Sequence, residues 1–151
     1  MNLEEIQTYV ASLLTAAPAL AGVPVQLEDG SYPRTPEREQ ALATAGLVLT
    51  VWEVESGGVA DMTPDGTVFH LAVARVVIDE NQEVCRNGGV NIRAEKAVRL
   101  VMETLTGADP GGAGRHPFLP LDPPFQGFGK IDGVNRWVVS FAKLIETKPT
   151  R

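Results

Sequence analysis

Apolar and polar positions divide the chain into a small number of elements. Leu3, Ile6, Val10, Leu13 and Leu14 recur at helical spacing, with Glu4, Glu5, Gln7, Thr8 and Ser12 on the other side. This predicts one amphipathic helix that stops before Pro18. Val23, Val25 and Leu27 then alternate with Pro24 and Gln26, which reads as a short strand ended by Asp29-Gly30. Pro24 cannot donate to a ladder and so favours a sheet edge. Between residues 31 and 46, Thr35 offers a cap, Pro36 a first helical position and Gly46 a stop. The apolar content there is mostly Ala, so the pattern predicts a loop with at most a helical turn.

Residues 47–55 are rich in β-branched and aromatic side chains on both alternating sides, predicting a strand covered on both faces. A polar, glycine-bearing loop over 55–66 leads to a second long strand over 67–79. Together they read as an antiparallel hairpin with a long loop. Asn91 is a candidate N-cap for a helix in which Val98, Val101, Met102 and Leu105 form one stripe, with Gly107 as the left-handed stop. Residues 107–124 carry many Gly and Pro and no periodicity, predicting a long loop that is either mobile or packed through Phe118, Leu119 and Leu121. Segments 125–131 and 134–146 flank Asp132-Gly133, a strong hairpin signal, and the second arm alternates Trp137, Val139 and Phe141 against Val138, Ser140 and Ala142. The sum is a single α+β domain over 1–146 with a polar tail over 147–151. Its predicted architecture is an antiparallel or mixed sheet with two amphipathic helices packed on one face.

Composition narrows the functional classes. A chain of 151 residues with 44% apolar and 21% charged side chains suits one folded domain. A formal charge of -6 gives no electrostatic footprint for a nucleic-acid backbone. No apolar run reaches the ~20 residues of a membrane span. Glu4 and Glu5 follow Met1 where a signal peptide would be positive, so a cytosolic product without a membrane partner is expected. Cys85 is the only cysteine, which excludes an internal disulfide and a cysteine zinc cage.

Candidate chemistry is sparse. His70 alternates with apolar neighbours in a strand, the setting of a sheet histidine rather than a ligand, and His116 lies in a loop beside Arg115 and Pro117. Cys85 precedes Arg86, Asn87, Gly88 and Gly89 with no nucleophile elbow. Glu53, Glu55, Asp61 and Asp65 straddle a loop without the spacing of an acid–base pair. Gly88-Gly89 precedes a helix, but no Lys-Ser/Thr pair follows to hold a phosphate. No catalytic, cofactor or metal residue is assigned. Charge placement is more informative: Arg93, Lys96 and Arg99 recur at spacing three, off the apolar stripe. Such a basic ridge could meet the acidic stretch 53–65 of a neighbouring copy and build a head-to-tail ring. The interface candidates are therefore Arg93, Lys96, Arg99, Glu53, Asp61 and Asp65, with Arg115 and His116 from the second loop.

One phrase, Val76-Val77-Ile78-Asp79-Glu80-Asn81, closes the second long strand before a helix, a Gly/Pro-rich loop and the Asp-Gly hairpin. In this order the chain resembles the tail terminator and minor tail (tail completion) proteins of long-tailed bacteriophages and prophages. The resemblance spans nearly the whole length as topology and offers no motif to transfer residue by residue. It implies a non-enzymatic structural protein, a hexameric ring capping the tail tube, and partnership with the tube protein and the head–tail connector. It also implies a place in the host cytoplasm during assembly and then in the virion tail. Type VI secretion or pyocin-like tails share this physics. The alternative from a different class is a small bacterial ligand-binding or enzymatic α+β domain with a pocket between sheet and helices.

Overall fold

A computed structural model describes residues 2–29, 35–110 and 116–150. Helix α1 (Leu3–Ala16) opens with a capping box: the Asn2 side chain accepts from the Glu5 N–H, and the Glu5 carboxylate accepts from the Asn2 N–H. A 3-10 turn at Pro18–Leu20 leads into β1 (Val25–Glu28). Helix α2 (Pro36–Ala45) follows, capped by Thr35 and stopped by Gly46 at φ 79°. Next come β2 (Leu47–Trp52), β3 (Glu55–Met62), β4 (Val68–Glu80), the single-turn α3 (Gln82–Arg86), α4 (Ala94–Leu105), β5 (Leu119–Ile131) and β6 (Val134–Thr147).

The strands form one mixed sheet in the order β1-β2-β4-β6-β5, with β3 also paired to β4. Only β1 and β2 run parallel, and β1 is an edge strand as Pro24 requires. β4 is the spine. Val76–Glu80 of β4 pairs with β2, whereas Val68–Val73 pairs on the same side with β3, and β6 pairs with all of β4 on the other side.

Helices α1 and α4 lie on one face, as expected, over a core that includes Ile6, Val10, Leu14, Val98, Val101, Leu105, Leu49, Val76, Ile78, Val139 and Phe141. α1 covers β1 and β2, and α4 covers β4, β6 and the inner side of β5. The opposite face is covered at one end by α2, where Leu42 packs on Val48 and Val134.

Several boundaries differ from the sequence expectation. Segment 36–45 is a full helix, because a buried Arg38 and one buried Leu42 suffice to seat its otherwise Ala-rich face. Segment 55–66 is not all loop: β3 occupies most of it, and since all eight of its residues are exposed it carries no core periodicity to read. The loop 107–124 is shorter than expected, because β5 begins at Leu119 and tolerates Pro120, Pro123 and Pro124 as an edge strand with irregular register. Phe118 anchors its start, fully buried and edge-on to Phe141 at 6.4 Å, while Leu119 is exposed. The N–H of Phe118 donates to Ala108 O and that of Gly107 to Phe118 O. Helix α4 begins at Ala94 with Arg93 at its cap rather than Asn91. β6 extends to Thr147, one residue into the predicted tail.

Candidate functional site

The phrase 79–81 at the exit of β4 is a structural hub. Asp79 is fully buried on the α2 side and accepts from Arg136 at 2.9 and 3.2 Å. Arg38, with none of its surface exposed, lies 4.0 Å from Asp79 and 2.7 Å from Glu28, so two cations and two carboxylates hold α2 to the sheet. Glu80 points to the other face. Its carboxylate accepts from the Ala94 N–H at 2.6 Å, Arg93 Nε at 3.0 Å and Asn135 Nδ2 at 3.2 Å. It thereby caps α4 in place of a local N-cap residue, with its charge at the positive end of the helix dipole. Burial pushes the Glu80 carboxyl up, but these three donors outweigh it and hold it below its ordinary value. Asn81 caps α3 by accepting from the Val84 N–H. These long-range partners consume the charges and leave no free acid–base pair at this spot.

Other chemistry-bearing groups are placed as structural elements. Cys85 is buried against α2, and burial followed by the Glu80 charge raises its thiol above the ordinary value, which suppresses the nucleophilic thiolate. Lys143 is buried beside Asp109 at 3.9 Å; burial lowers its ammonium pKa, against the opposing pull of Asp109. Among the described residues no group of three or more His, Cys, Asp and Glu stands close enough to hold a metal ion. No helix among them is long and apolar enough to cross a membrane.

The sequence-predicted interface residues separate into two regions. Glu53 is exposed at the bend between β2 and β3, Asp61 is exposed on β3, and Asp65 lies in the turn between β3 and β4. Hydrogen bonds from the Thr63 hydroxyl and then from Thr67 lower the Asp65 carboxyl. On α4, Arg93 bends back to Glu80, Lys96 is exposed, and Arg99 stands 3.8 Å from Glu103. The three cations therefore do not form one uniform ridge, since Arg93 is engaged at the cap. His116 meets Phe69 edge-on at 5.8 Å, and Arg115 lies outside the described residues.

Two further surfaces are defined by the fold. A groove of about 740 Å³ runs between α4 and β5. Val98, Met102, Phe125 and Trp137 give it an apolar lining, and Glu95, Arg99, Glu103 and Thr106 complete it. The sheet also extends as a three-stranded platform of β3, the first half of β4 and the last part of β6, with Val59 and Met62 61% and 62% exposed. The strand course of the polar β3 and of the Pro-interrupted start of β5 carried no sequence signal, although Phe125, Phe128 and Ile131, all exposed, were visible as apolar residues in a strand.

No protein-family model matches the chain, and no curated protein matches it. Among solved structures it is similar to a chain of the virion of a native gene transfer agent particle, with a TM-score of 0.47 and 13% identity. The alignment covers 94% of this chain and 95% of that one.

Proposed function

We propose that this chain is a virion structural protein of the tail terminator or tail completion type, acting by self-association into a ring at the end of a tail tube. The observation that carries this reading is the platform: β3 buries none of its eight residues and still presents Val59 and Met62 to water. A strand with no buried side adds little to its own core, and apolar side chains held outward on a paired, regular backbone mark a surface that is completed by another protein. The order of elements and the phrase 76–81 support the phage-tail assignment by resemblance, and with it a hexamer, the tube protein and the connector as partners. In this reading the chain works by surface fit and transforms no small molecule. Light scattering and negative-stain electron microscopy of the purified protein across a concentration series test it. Ring-sized particles are expected, and a strict monomer at the highest concentration reached refutes it.

One observation favours the ligand-binding alternative: the groove between α4 and β5 has the volume and apolar lining of a small-molecule site. A monomer whose melting temperature rises with an added metabolite would support that alternative.

A further inference from the structure

Helix α2 is attached in two different ways at its two ends. At the C-terminal end Gly46 O accepts from the Asn81 N–H at 2.7 Å and Ala45 O from the Val90 N–H at 2.8 Å, while Leu42 packs on Val48 and Val134. A Cβ on Gly46 would stand 2.6 Å from Cys85 N, so this end is locked against α3. At the N-terminal end the attachment is polar, and among residues 35–40 only Arg38 is buried. Its ties converge on Glu28, the last residue of the edge strand β1. The Glu28 carboxylate accepts from the Thr35 hydroxyl at 2.5 Å and meets Arg38 at 2.7 Å. Gln26 adds one bond, donating to Glu37 O at 3.2 Å.

The docked position of this end is held against opposing terms. A buried ion pair must be dehydrated, and its attraction often does no more than offset that loss. Gln26 Oε1 and, across from it on β2, Thr50 Oγ1 are buried and make no hydrogen bond with the protein. Release strands no charge, because Asp79 keeps Arg136 at 2.9 Å while Glu28 and Arg38 return to water.

We infer that the first half of α2 is a hinged flap, latched by Glu28 and pivoting on the fixed end at Ala45 and Gly46, which opens while the sheet, α1 and α4 stay folded. Segments with few buried apolar side chains open at a lower free energy than the core, and a helix of 10 residues parted from its sheet does not hold its own hydrogen bonds. Opening bares the sheet around Gln26 and Thr50. It involves neither β3 nor the groove between α4 and β5, so it stands whether or not copies of the chain assemble.

Hydrogen exchange of the whole chain, read amide by amide by NMR, tests this. In the parent, amides 39–42 should exchange as one set, roughly tenfold or more faster than those of β4 and α4. Low urea should hardly change their rates, since the opening exposes little surface, whereas rates in β4 should climb. Exchange of 39–42 at the rate and urea dependence of β4 means that α2 leaves only on global unfolding, and it overturns the flap. Rates graded from the first turn inward mean simple fraying and overturn it too. Glu28→Gln opens the latch and should speed exchange of 39–42 on the order of a hundredfold, with β4 remaining slower. Replacing both partners, Glu28→Met with Arg38→Met, removes the stranded charge and should return exchange toward the parent. A Glu28→Gln chain whose α2 exchanges as in the parent overturns the latch. If that variant fails to fold, the urea dependence of the parent decides.

Discussion

Changing Glu80 to Gln measures how firmly α4 is tied to the sheet. The substitution preserves shape but turns one acceptor oxygen into a donor. Ala94 and Arg93 donate to one oxygen and Asn135 to the other, so either orientation of the amide sets donor against donor. A hydrogen bond to a charged group contributes about 1.5–3 kcal/mol, and a buried donor left without an acceptor costs a similar amount. Loss of the charge at the helix N-terminus adds roughly 0.5 kcal/mol. A destabilisation of about 3 kcal/mol follows. At roughly 2–4 °C per kcal/mol for a domain of this size, E80Q should melt roughly 6–12 °C below the parent at pH 7. Glu103→Gln, at an exposed pair, should move the midpoint by less than about 2 °C. The pH dependence has a definite sign. The folded-state pKa of Glu80 is lowered, so its contribution is complete above the unfolded value and fades as pH falls through the folded value. E80Q lacks this component, and the gap between the two proteins should narrow below roughly pH 4. Circular dichroism melts from pH 7 to pH 3 provide the assay. A variant melting within about 2 °C of the parent at pH 7, or a gap that widens in acid, would refute the capping role.

Arg38→Met leaves Glu28 without its partner at 2.7 Å and should cost about 3–5 kcal/mol in urea unfolding. Adding Glu28→Gln should recover part of that loss, and an unchanged urea midpoint in the single variant would discount the network. Phe118→Ala empties a fully buried site against Phe141 and should cost roughly 3–5 kcal/mol, with proteolysis near residue 110 rising in parallel. Gly89→Ala would set a Cβ 2.3 Å from Ala45 O and 2.8 Å from Val84 O, both backbone atoms. It should lower the melting temperature by several degrees, and a neutral result would mean that the turn relaxes freely.

Elements seated by an apolar stripe were legible in the sequence. The side chains Val98, Val101 and Leu105 are the ones that seat α4, and Trp137, Val139 and Phe141 do face the helices from β6. Both helices that present such stripes lie on the expected face. What escaped the sequence lacks a stripe. α2 is held by Arg38, and a buried guanidinium looks like any surface arginine until Glu28 and Asp79 are brought to it by chain segments far apart in sequence. β3 has no buried side, and the bulges that align Val59 with Met62 break the period that would reveal a strand. Glu80 replaces a local cap, so α4 starts two or three residues later than its own sequence suggests. The groove between α4 and β5 is formed by two elements whose juxtaposition is a matter of tertiary structure.

The continuous ladder between β4 and β6 has a consequence for biogenesis. Val68 pairs with Thr147 and Glu80 with Asn135, so the middle of the chain waits for its last strand before one of its sides is covered. A nascent chain on the ribosome holds β4 with an open flank until β6 has emerged, and contacts this distant in sequence form slowly. Since β6 underlies both the platform and the Trp137 side of the groove, neither can take shape on a partly translated copy.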